Sequence, residues 1–351
     1  MAQISNSSDS LYNFVVRDGN GIKGLVDSGL SDVPKIYIQP INNRINKLNS
    51  KPCEIQPIDL SKLNGPEHEK VVDEIVRAAE TLGFFQVVNH CVPPELLESL
   101  KDSAHSFFNL PPEEKVIYRN SASNTRYKTS FVPELEKVLE WKDYINMVYS
   151  CDEDALQHWP NICKEVAFEY LKLSSNIARD LLKILIDKLG VKLDESKMES
   201  LIGMKMVNMN YYPACPNPEL TAGTVRHSDS GTITILLQDG IGGLHVKSED
   251  GSNDEKEVLS NGKYKSAEHR VLTTSTQSRV SVPMFSLPML TERIGPFPEL
   301  VKKDGFAGYR DVLWKDYMDN YFRSSHDGKN RIKRLFIGKT PIHRLERLFK
   351  G

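Results

Sequence analysis

The hydrophobic pattern of this chain changes its period near residue 203. Before that point apolar residues recur at helical spacing, as in 71–82, 96–107 and 166–185. After it, turn residues separate short apolar runs that indicate strands, at 204–211, 232–237, 243–247, 264–272 and 279–285. A helical first half and a β-rich second half predict an α+β protein, in which helices surround a β sandwich or barrel.

The composition is that of an ordinary globular protein. Hydrophobic residues make up 39% and charged residues 26%, and the net charge of −2 argues against a nucleic-acid partner. No apolar run approaches the length of a membrane helix, and the first residues lack the pattern of a signal peptide. The five cysteines contain no CxxC pair, which fits reduced thiols. We therefore expect a cytoplasmic protein, most simply a monomer, with no membrane partner.

Two histidines and one aspartate stand at the strand-like runs. His227 and Asp229 precede the run 232–237, and His269 lies within the run 264–272. Two imidazoles and a carboxylate can hold one face of an octahedral iron and leave three positions for a co-substrate and O2. Because neighbouring strands can bring these residues together, we predict an Fe(II) site. The alternative is a pair of surface histidines.

Arg279 and Ser281 follow ten positions after the second histidine, in the next strand-like run. Residues at i and i+2 project from the same side of a strand. An arginine fork and a hydroxyl can therefore grip the far carboxylate of a small dicarboxylic acid. Together with the iron site, this pair predicts 2-oxoglutarate as co-substrate. The alternative is a surface arginine in a salt bridge.

The segment 19–24 formally matches the GxGxxG pattern of dinucleotide-binding loops. That function needs a preceding strand and a helix that begins at the last glycine. Asp27, Gly29 and Pro34 interrupt any such helix, so we expect a flexible turn rather than a dinucleotide site.

Three segments resemble signatures of plant 2-oxoglutarate/Fe(II)-dependent dioxygenases. They are 83–90 (GFFQVVNH), 210–216 (NYYPACP) and 259–266 (LSNGKYKS), and the resemblance extends over about residues 10–329. It implies a double-stranded β-helix (jelly-roll) core wrapped by N-terminal and C-terminal helices. It also implies Fe(II) as cofactor, 2-oxoglutarate as co-substrate, O2 as a reactant and ascorbate as a supporting reductant.

The same resemblance assigns roles to individual residues by their position in the motifs. It implies that the iron ligands, which are the catalytic residues, are His227, Asp229 and His269. It implies that the 2-oxoglutarate carboxylate is held by Arg279 and Ser281, with auxiliary contacts from Asn210 and Tyr212.

Within the family, several stretches are similar to the coumarin-forming branch, for example 140–144 (EWKDY) and 326–329 (HDGK). This implies a small aromatic substrate, most simply a coumarin such as scopoletin hydroxylated at position 8. The alternatives are ortho-hydroxylation of feruloyl-CoA and hydroxylation of another phenylpropanoid or flavonoid. An aromatic substrate needs an apolar slot. Phe131 and Phe285 are candidates for its lining, although a core role is the simpler interpretation of each.

The patterns and the resemblance divide the chain into five parts. We expect an N-terminal extension over 1–52, a helical N-terminal region of the dioxygenase over 53–165, and a long helix with its connector over 166–202. The jelly-roll core covers 203–290, and C-terminal helices with a basic tail cover 291–351. A short amphipathic helix is possible near 342–349, with a solvated or frayed tail as the simpler expectation.

The chain departs from the family between two of its ligands. Only forty positions separate Asp229 from His269, fewer than is usual in the family. Relatives continue after the strand at 243–247 with two further core strands, where this chain has the polar segment 248–256. We therefore expect an incomplete core between about 247 and 257. Losing two apolar strands removes a large share of a domain's stability, so a catalytically impaired family member is a second hypothesis.

Smaller departures from the family pattern occur elsewhere. Cys91 and Lys128 each stand where the family usually has glycine, and a positive φ at Cys91 would be strained. The tail after Lys329 no longer resembles the family.

Overall fold

The computed structural model describes residues 8–44, 55–119, 124–247 and 256–323. Its helices are α1 (Ser8–Tyr12), α2 (Gly21–Asp27), α3 (His68–Thr81), α4 (Pro94–Phe108), α5 (Pro112–Val116), α6 (Asp152–His158), α7 (Lys164–Lys188), α8 (Glu195–Ile202), α9 (Pro298–Asp304) and α10 (Trp314–Arg323). A π-helical turn covers Asn13–Arg17, and short 3-10 turns lie at Lys35–Tyr37, Ile41–Asn43, Leu60–Asn64 and Pro218–Leu220. No helix in these ranges is long and apolar enough to cross a membrane.

The strands form two principal sheets. They are β1 (Ile58–Asp59), β2 (Val87–Val88), β3 (Thr125–Thr129), β4 (Asp143–Tyr149), β5 (Met204–Tyr212), β6 (Thr224–His227), β7 (Ile233–Gln238), β8 (Leu244–Val246), β9 (His269–Val271), β10 (Arg279–Leu287), β11 (Arg293–Ile294) and β12 (Val312–Leu313). The larger sheet is antiparallel with order β3-β4-β5-β10-β7, and the smaller has order β6-β9-β8. Residues of both sheets line one cavity, as expected of a jelly-roll core. The α+β prediction is confirmed.

Alternation along the strands gives the larger sheet two different faces. In β10, Val280, Val282 and Met284 are fully buried against the helices, while Arg279 and Ser281 line the cavity. Because side chains of successive strand residues point to opposite faces, one strand anchors the sheet and supplies polar groups to the site.

The long helix α7 supports the apolar face of this sheet. It has 25 residues, includes the run 166–185 whose spacing predicts a helix, and contacts β5, β7 and β10. Its stripe of Ala167, Leu171, Ala178 and Leu181 is buried. Burying one leucine contributes about 1.5–3 kcal/mol, so this stripe is a main source of rigidity behind the site.

The N-terminal extension packs on the main body, in a cluster with Trp141. Asp143 accepts hydrogen bonds from the N–H groups of Ile22 (2.8 Å) and Lys23 (2.9 Å) at the start of α2. The expectation of a flexible turn over 19–24 is therefore wrong, because Asp143 and the cluster hold Gly21–Asp27 as a helix. Gly21 has φ +71°, and a Cβ there would lie 2.4 Å from the Tyr127 hydroxyl. Glycine at position 21 therefore lets α2 approach Tyr127 closely, where a larger residue would clash.

Two strands of the larger sheet lie outside the predicted core. β3 and β4 fall within 53–165, which the sequence pattern predicts as helical, and β4 pairs with β5 along its whole length. Conversely, the strand-like run 264–272 forms a strand only at His269–Val271. Lys265 donates its N–H to Ala79 at the end of α3 and forms only an isolated antiparallel bridge with Lys256, so the first part of this run does not extend the sheet.

The segment between β8 and β9 consists of residues 247–268. In the described part of the chain, β7 pairs only with β10 and β8 only with β9. The cavity beside these edges has a volume of about 2000 Å³ and reaches from the sheets to α7. The expected absence of two strands concerns a segment, 248–255, outside the described residues. The tail, including the segment 342–349, also lies outside them.

Candidate active site

The predicted iron ligands meet at one end of the smaller sheet. His227 of β6 and His269 of β9 are register partners, and their ring centroids lie 4.2 Å apart. Asp229 follows in the turn after β6, with its Oδ1 3.6 Å from His227 Nε2 and 3.8 Å from His269 Nε2. One ligand atom from each residue lies within 4.8 Å of the others. This spacing suits three ligands of a single metal ion.

Hydrogen bonds turn the correct atoms toward the centre of this triad. His227 Nδ1 bonds to the carbonyl oxygen of Val225 at 2.9 Å, and His269 Nδ1 to that of Ala267 at 3.1 Å. Since a carbonyl can only accept, each Nδ1 carries the proton and each Nε2 keeps its lone pair. Thr234 donates to Oδ2 of Asp229 at 2.7 Å, which leaves Oδ1 for a metal.

The surroundings keep His227 in its metal-binding state. Burial, followed by the neighbouring His269, lowers the pKa of His227 to about 4, although Asp229 opposes the shift. His227 is therefore neutral near pH 7, as a metal ligand must be. The ring of Phe84 packs edge-on against His269, with 5.3 Å between centroids, and limits its rotation.

Arg279 and Ser281 form a second polar centre on the floor of the cavity. Arg279 is only 2% exposed; its Nη2 donates to Gln238 at 2.9 Å, and its guanidinium lies 5.1 Å from the centre of the Tyr212 ring. Its Nε and Nη1 have no hydrogen-bond partner among the described residues. A buried cation with free donors is costly unless an anion completes it, so these atoms fit the far carboxylate of 2-oxoglutarate.

The adjacent strand β5 adds the two auxiliary residues. Asn210 donates to the Ser281 hydroxyl at 3.5 Å, and Tyr212 shares a 3.3 Å hydrogen bond with Thr224. All seven sequence-predicted site residues therefore line the same cavity. They come from four strands and one turn, and the strand register aligns Arg279 with Tyr212 and Ser281 with Asn210.

The candidates for the aromatic slot also lie at the cavity. Phe131 and Phe285 are half-buried lining residues, and Lys128 lines the cavity as well. Phe285 packs at the same time against the apolar cluster beneath α8, in line with the core role that sequence favours. Cys91 has φ +64°, a backbone conformation that is strained for a residue other than glycine.

Sequence reasoning missed several supporting residues. Thr234 and Gln238 touch Asp229 and Arg279, and Glu140 approaches β6 from another part of the chain. One signal was available for the first two, because they are the two polar residues of the otherwise apolar strand β7, four positions apart and therefore on the same face. No spacing rule connects Glu140 to β6, since they are 85 positions apart.

A jelly-roll core with a His-Asp-His centre beside a buried arginine defines the class of 2-oxoglutarate-dependent, non-haem iron dioxygenases. The model of the 2OG-Fe(II) oxygenase superfamily matches residues 204–288, and the N-terminal model of non-haem dioxygenases in morphine synthesis matches 55–165. The chain belongs to this family of oxidoreductases, with Fe(II) as cofactor and 2-oxoglutarate as co-substrate.

Two curated relatives illustrate the similarity. Scopoletin 8-hydroxylase of Arabidopsis thaliana is 54% identical over 342 positions, which cover 92% of this chain and 96% of the relative. Feruloyl CoA ortho-hydroxylase 1 of the same plant is 45% identical, covering 94% of this chain and 96% of the relative. The alignment with the first relative has 342 positions, but 92% of this 351-residue chain is only about 323 residues. The first relative therefore has residues without a counterpart here.

Solved structures support the same fold. JOX2 in complex with 2OG, Fe and JA has a TM-score of 0.76 and 30% identity, covering 90% of this chain and 97% of that one. The rice dioxygenase for auxin oxidation has a TM-score of 0.66 at 22% identity, covering 81% of this chain and 100% of that one, and shows the fold alone.

Proposed function

We propose that this dioxygenase hydroxylates a coumarin, with scopoletin hydroxylated at position 8 as the first candidate reaction. The 54% identity to scopoletin 8-hydroxylase across nearly the whole chain carries this proposal. Feruloyl-CoA ortho-hydroxylation is the alternative, supported by relatives at 44–45% identity. Both substrates present an aromatic ring, and apolar side chains such as Phe131 and Phe285 line the cavity.

We further propose a role for each group of site residues. His227, Asp229 and His269 bind the iron, and Arg279 with Ser281 holds the far carboxylate of 2-oxoglutarate. The bound iron and 2-oxoglutarate supply the chemistry that activates O2. The protein orients the ligand atoms through Val225, Ala267 and Thr234, and the large sheet excludes water from one side of the site.

The proposed reaction has a direct test. Purified protein is incubated with Fe(II), 2-oxoglutarate, ascorbate and either scopoletin or feruloyl-CoA, and succinate and hydroxylated product are measured by mass spectrometry. We expect succinate and a product of scopoletin gaining one oxygen atom, and neither when 2-oxoglutarate is omitted. Product from feruloyl-CoA alone would favour the alternative. No product from any phenolic substrate, in protein that melts cooperatively, would contradict the proposed function.

A second candidate is a catalytically impaired family member. Its support is the short connection between β8 and β9 and the single-sided pairing of β7 and β8 among the described residues. In that case the protein binds Fe(II) and 2-oxoglutarate without forming product, and calorimetric titration of both ligands separates it from an unfolded protein.

We also propose that the protein acts as a cytoplasmic monomer on a small molecule, without nucleic acid. The near-neutral charge and the sequence patterns support this proposal. Gel filtration with light scattering tests the monomer, and a fluorescent fusion tests the location.

A further inference from the structure

Strand β6, which carries the iron ligand His227, is irregular. Thr224 pairs with Val271 and His227 with His269, so three steps along β6 oppose two steps along β9. Such a bulge disrupts the ladder and bends the strand. Without the extra residue, Arg226 rather than His227 would lie opposite His269.

Glu140 contacts the backbone within the bulge. Its Oε1 accepts the N–H of Val225 at 2.9 Å, and the carbonyl of the same residue accepts from His227 Nδ1 at 2.9 Å. Glu140 is therefore joined to the iron ligand through a single residue, Val225. Glu140 is 1% exposed, so water does not compete for this bond.

Lys142 balances the buried carboxylate. Its Nζ lies 2.9 Å from Glu140 Oε2, and it also donates to the Thr224 hydroxyl at 3.3 Å. Burial alone would lower the pKa of Lys142, but the Glu140 carboxylate, together with the nearby Tyr212 and Tyr144, raises it above its usual value. The ammonium group therefore stays charged, and it holds Glu140 against β6.

Thr224 extends the same chain of contacts to the 2-oxoglutarate side. Its hydroxyl shares a 3.3 Å hydrogen bond with Tyr212, the residue beneath the Arg279 guanidinium. A continuous path thus runs from Tyr212 through Thr224, Lys142 and Glu140 to the backbone that fixes His227.

We infer that Glu140, held in place by Lys142, is a positioning residue that sets the bulge of β6 and thereby the orientation of the iron ligand His227. The inference rests on the proposed iron site and is independent of the organic substrate. Residues that support metal ligands in this way typically change metal affinity about 10–100-fold when they are lost.

The test measures the metal rather than turnover. Fe(II) is titrated anaerobically into protein with saturating 2-oxoglutarate, and the visible charge-transfer band of the complex reports binding. Glu140→Ala is expected to weaken Fe(II) binding about 10–100-fold and to shift the band. The double variant E140Q/K142M keeps an acceptor for Val225 and removes both charges, so it restores the affinity to within a few-fold of the parent.

Asp143→Asn is the matched control. Asp143 lies next to Lys142 in the chain and, like Glu140, is a buried carboxylate that accepts backbone N–H groups. Its two donors are Ile22 and Lys23 at the start of α2 rather than residues of β6. Its substitution is expected to leave Fe(II) affinity unchanged. Equal affinities for the parent, D143N and E140A would overturn the inference. Absence of the band in the parent would instead contradict the proposed iron site.

If Glu140→Ala fails to fold, the double variant E140M/K142M carries the test. It removes the acceptor for the Val225 N–H and leaves no buried charge unpaired. Its Fe(II) affinity is expected to be about 10–100-fold lower than that of E140Q/K142M. Equal Fe(II) affinities of the two double variants would also overturn the inference.

Discussion

Arg279 shows how one side chain can be specified by several neighbours at once. Gln238 takes one of its donors, Tyr212 lies against its plane, and Ser281 stands on the same face of β10. Nε and Nη1, which have no partner among the described residues, are thereby aimed at the place where a carboxylate would bind. Lysine offers a point charge and cannot reproduce this planar fork.

We predict that Arg279→Lys raises the dissociation constant for 2-oxoglutarate about tenfold or more, because at least one charge-assisted hydrogen bond is lost. Calorimetric titration of 2-oxoglutarate measures the change. Arg293→Lys is a suitable control, since Arg293 pairs with Asp311 at the surface. Equal effects of the two substitutions would show that Arg279 does not hold the co-substrate.

Asp229 provides a second prediction for a single residue. Asp229→Ala removes one of the three proposed iron ligands and should abolish iron-dependent succinate release, with iron no longer retained in the purified protein. Ser228→Ala changes the intervening residue, whose hydroxyl bonds to the Ser266 carbonyl, and should keep most of the activity. Turnover by Asp229→Ala would mean that the triad is misassigned.

Gly83 is the critical position where α3 meets the segment before β9. It has φ +70°, and a Cβ there would lie 2.6 Å from the Lys265 carbonyl oxygen. Gly190 follows α7 with a similar φ of +79°, but a Cβ there would meet nothing within 4 Å. Substitution of Gly190 therefore tests the cost of backbone strain alone, whereas substitution of Gly83 adds a steric clash.

We predict that Gly190→Ala lowers the free energy of unfolding by about 1–3 kcal/mol, the usual cost of a non-glycine residue at positive φ. Gly83→Ala should cost more, because the backbone near Lys265 must also move. Thermal denaturation measures both. Equal losses of stability would show that the contact between α3 and Lys265 yields at no cost.

Among the helices and strands, the sequence predicts those whose formation depends on the local hydrophobic pattern. The stripe of α7 and the spacing of β5, β7 and β10 are visible in the sequence because each has one buried face. β3 and β4 were missed, because β4 pairs with β5 some sixty positions later and β3 joins the sheet only through β4. Local pattern also cannot tell that Lys265 bonds to the end of α3 rather than to a strand.

The candidate site divides in the same way. His227, Asp229 and His269 are recognisable because metal chemistry restricts their types, and Arg279 because it must be a fork. Thr234, Gln238 and Glu140 act by hydrogen bonds that many residue types could make, so their positions emerge only when the chain is folded.

For the whole molecule, the decisive segment lies between Lys247 and Glu257. We predict that inserting the corresponding extra residues of Arabidopsis scopoletin 8-hydroxylase raises the melting temperature by several degrees and increases turnover. Each apolar side chain that the new strands bury contributes about 1.5–3 kcal/mol. Calorimetry and succinate release measure the two effects.

A glycine-serine insertion of equal length is the control for this prediction. It adds chain without apolar side chains and should lower stability slightly through loop entropy. If it stabilised the protein as much as the relative's segment, the benefit would come from relief of a strained connection rather than from restored strands.

The cavity that extends from the two sheets to α7 bears on how faithfully the enzyme uses its co-substrate. With about 2000 Å³ beside the ligands, a small aromatic ring would fill only part of the space and would leave room for water. An incompletely enclosed site consumes 2-oxoglutarate without oxidising its substrate, because reactive species are quenched when water is not excluded. The ratio of succinate to hydroxylated product therefore measures how completely the site excludes water during the reaction.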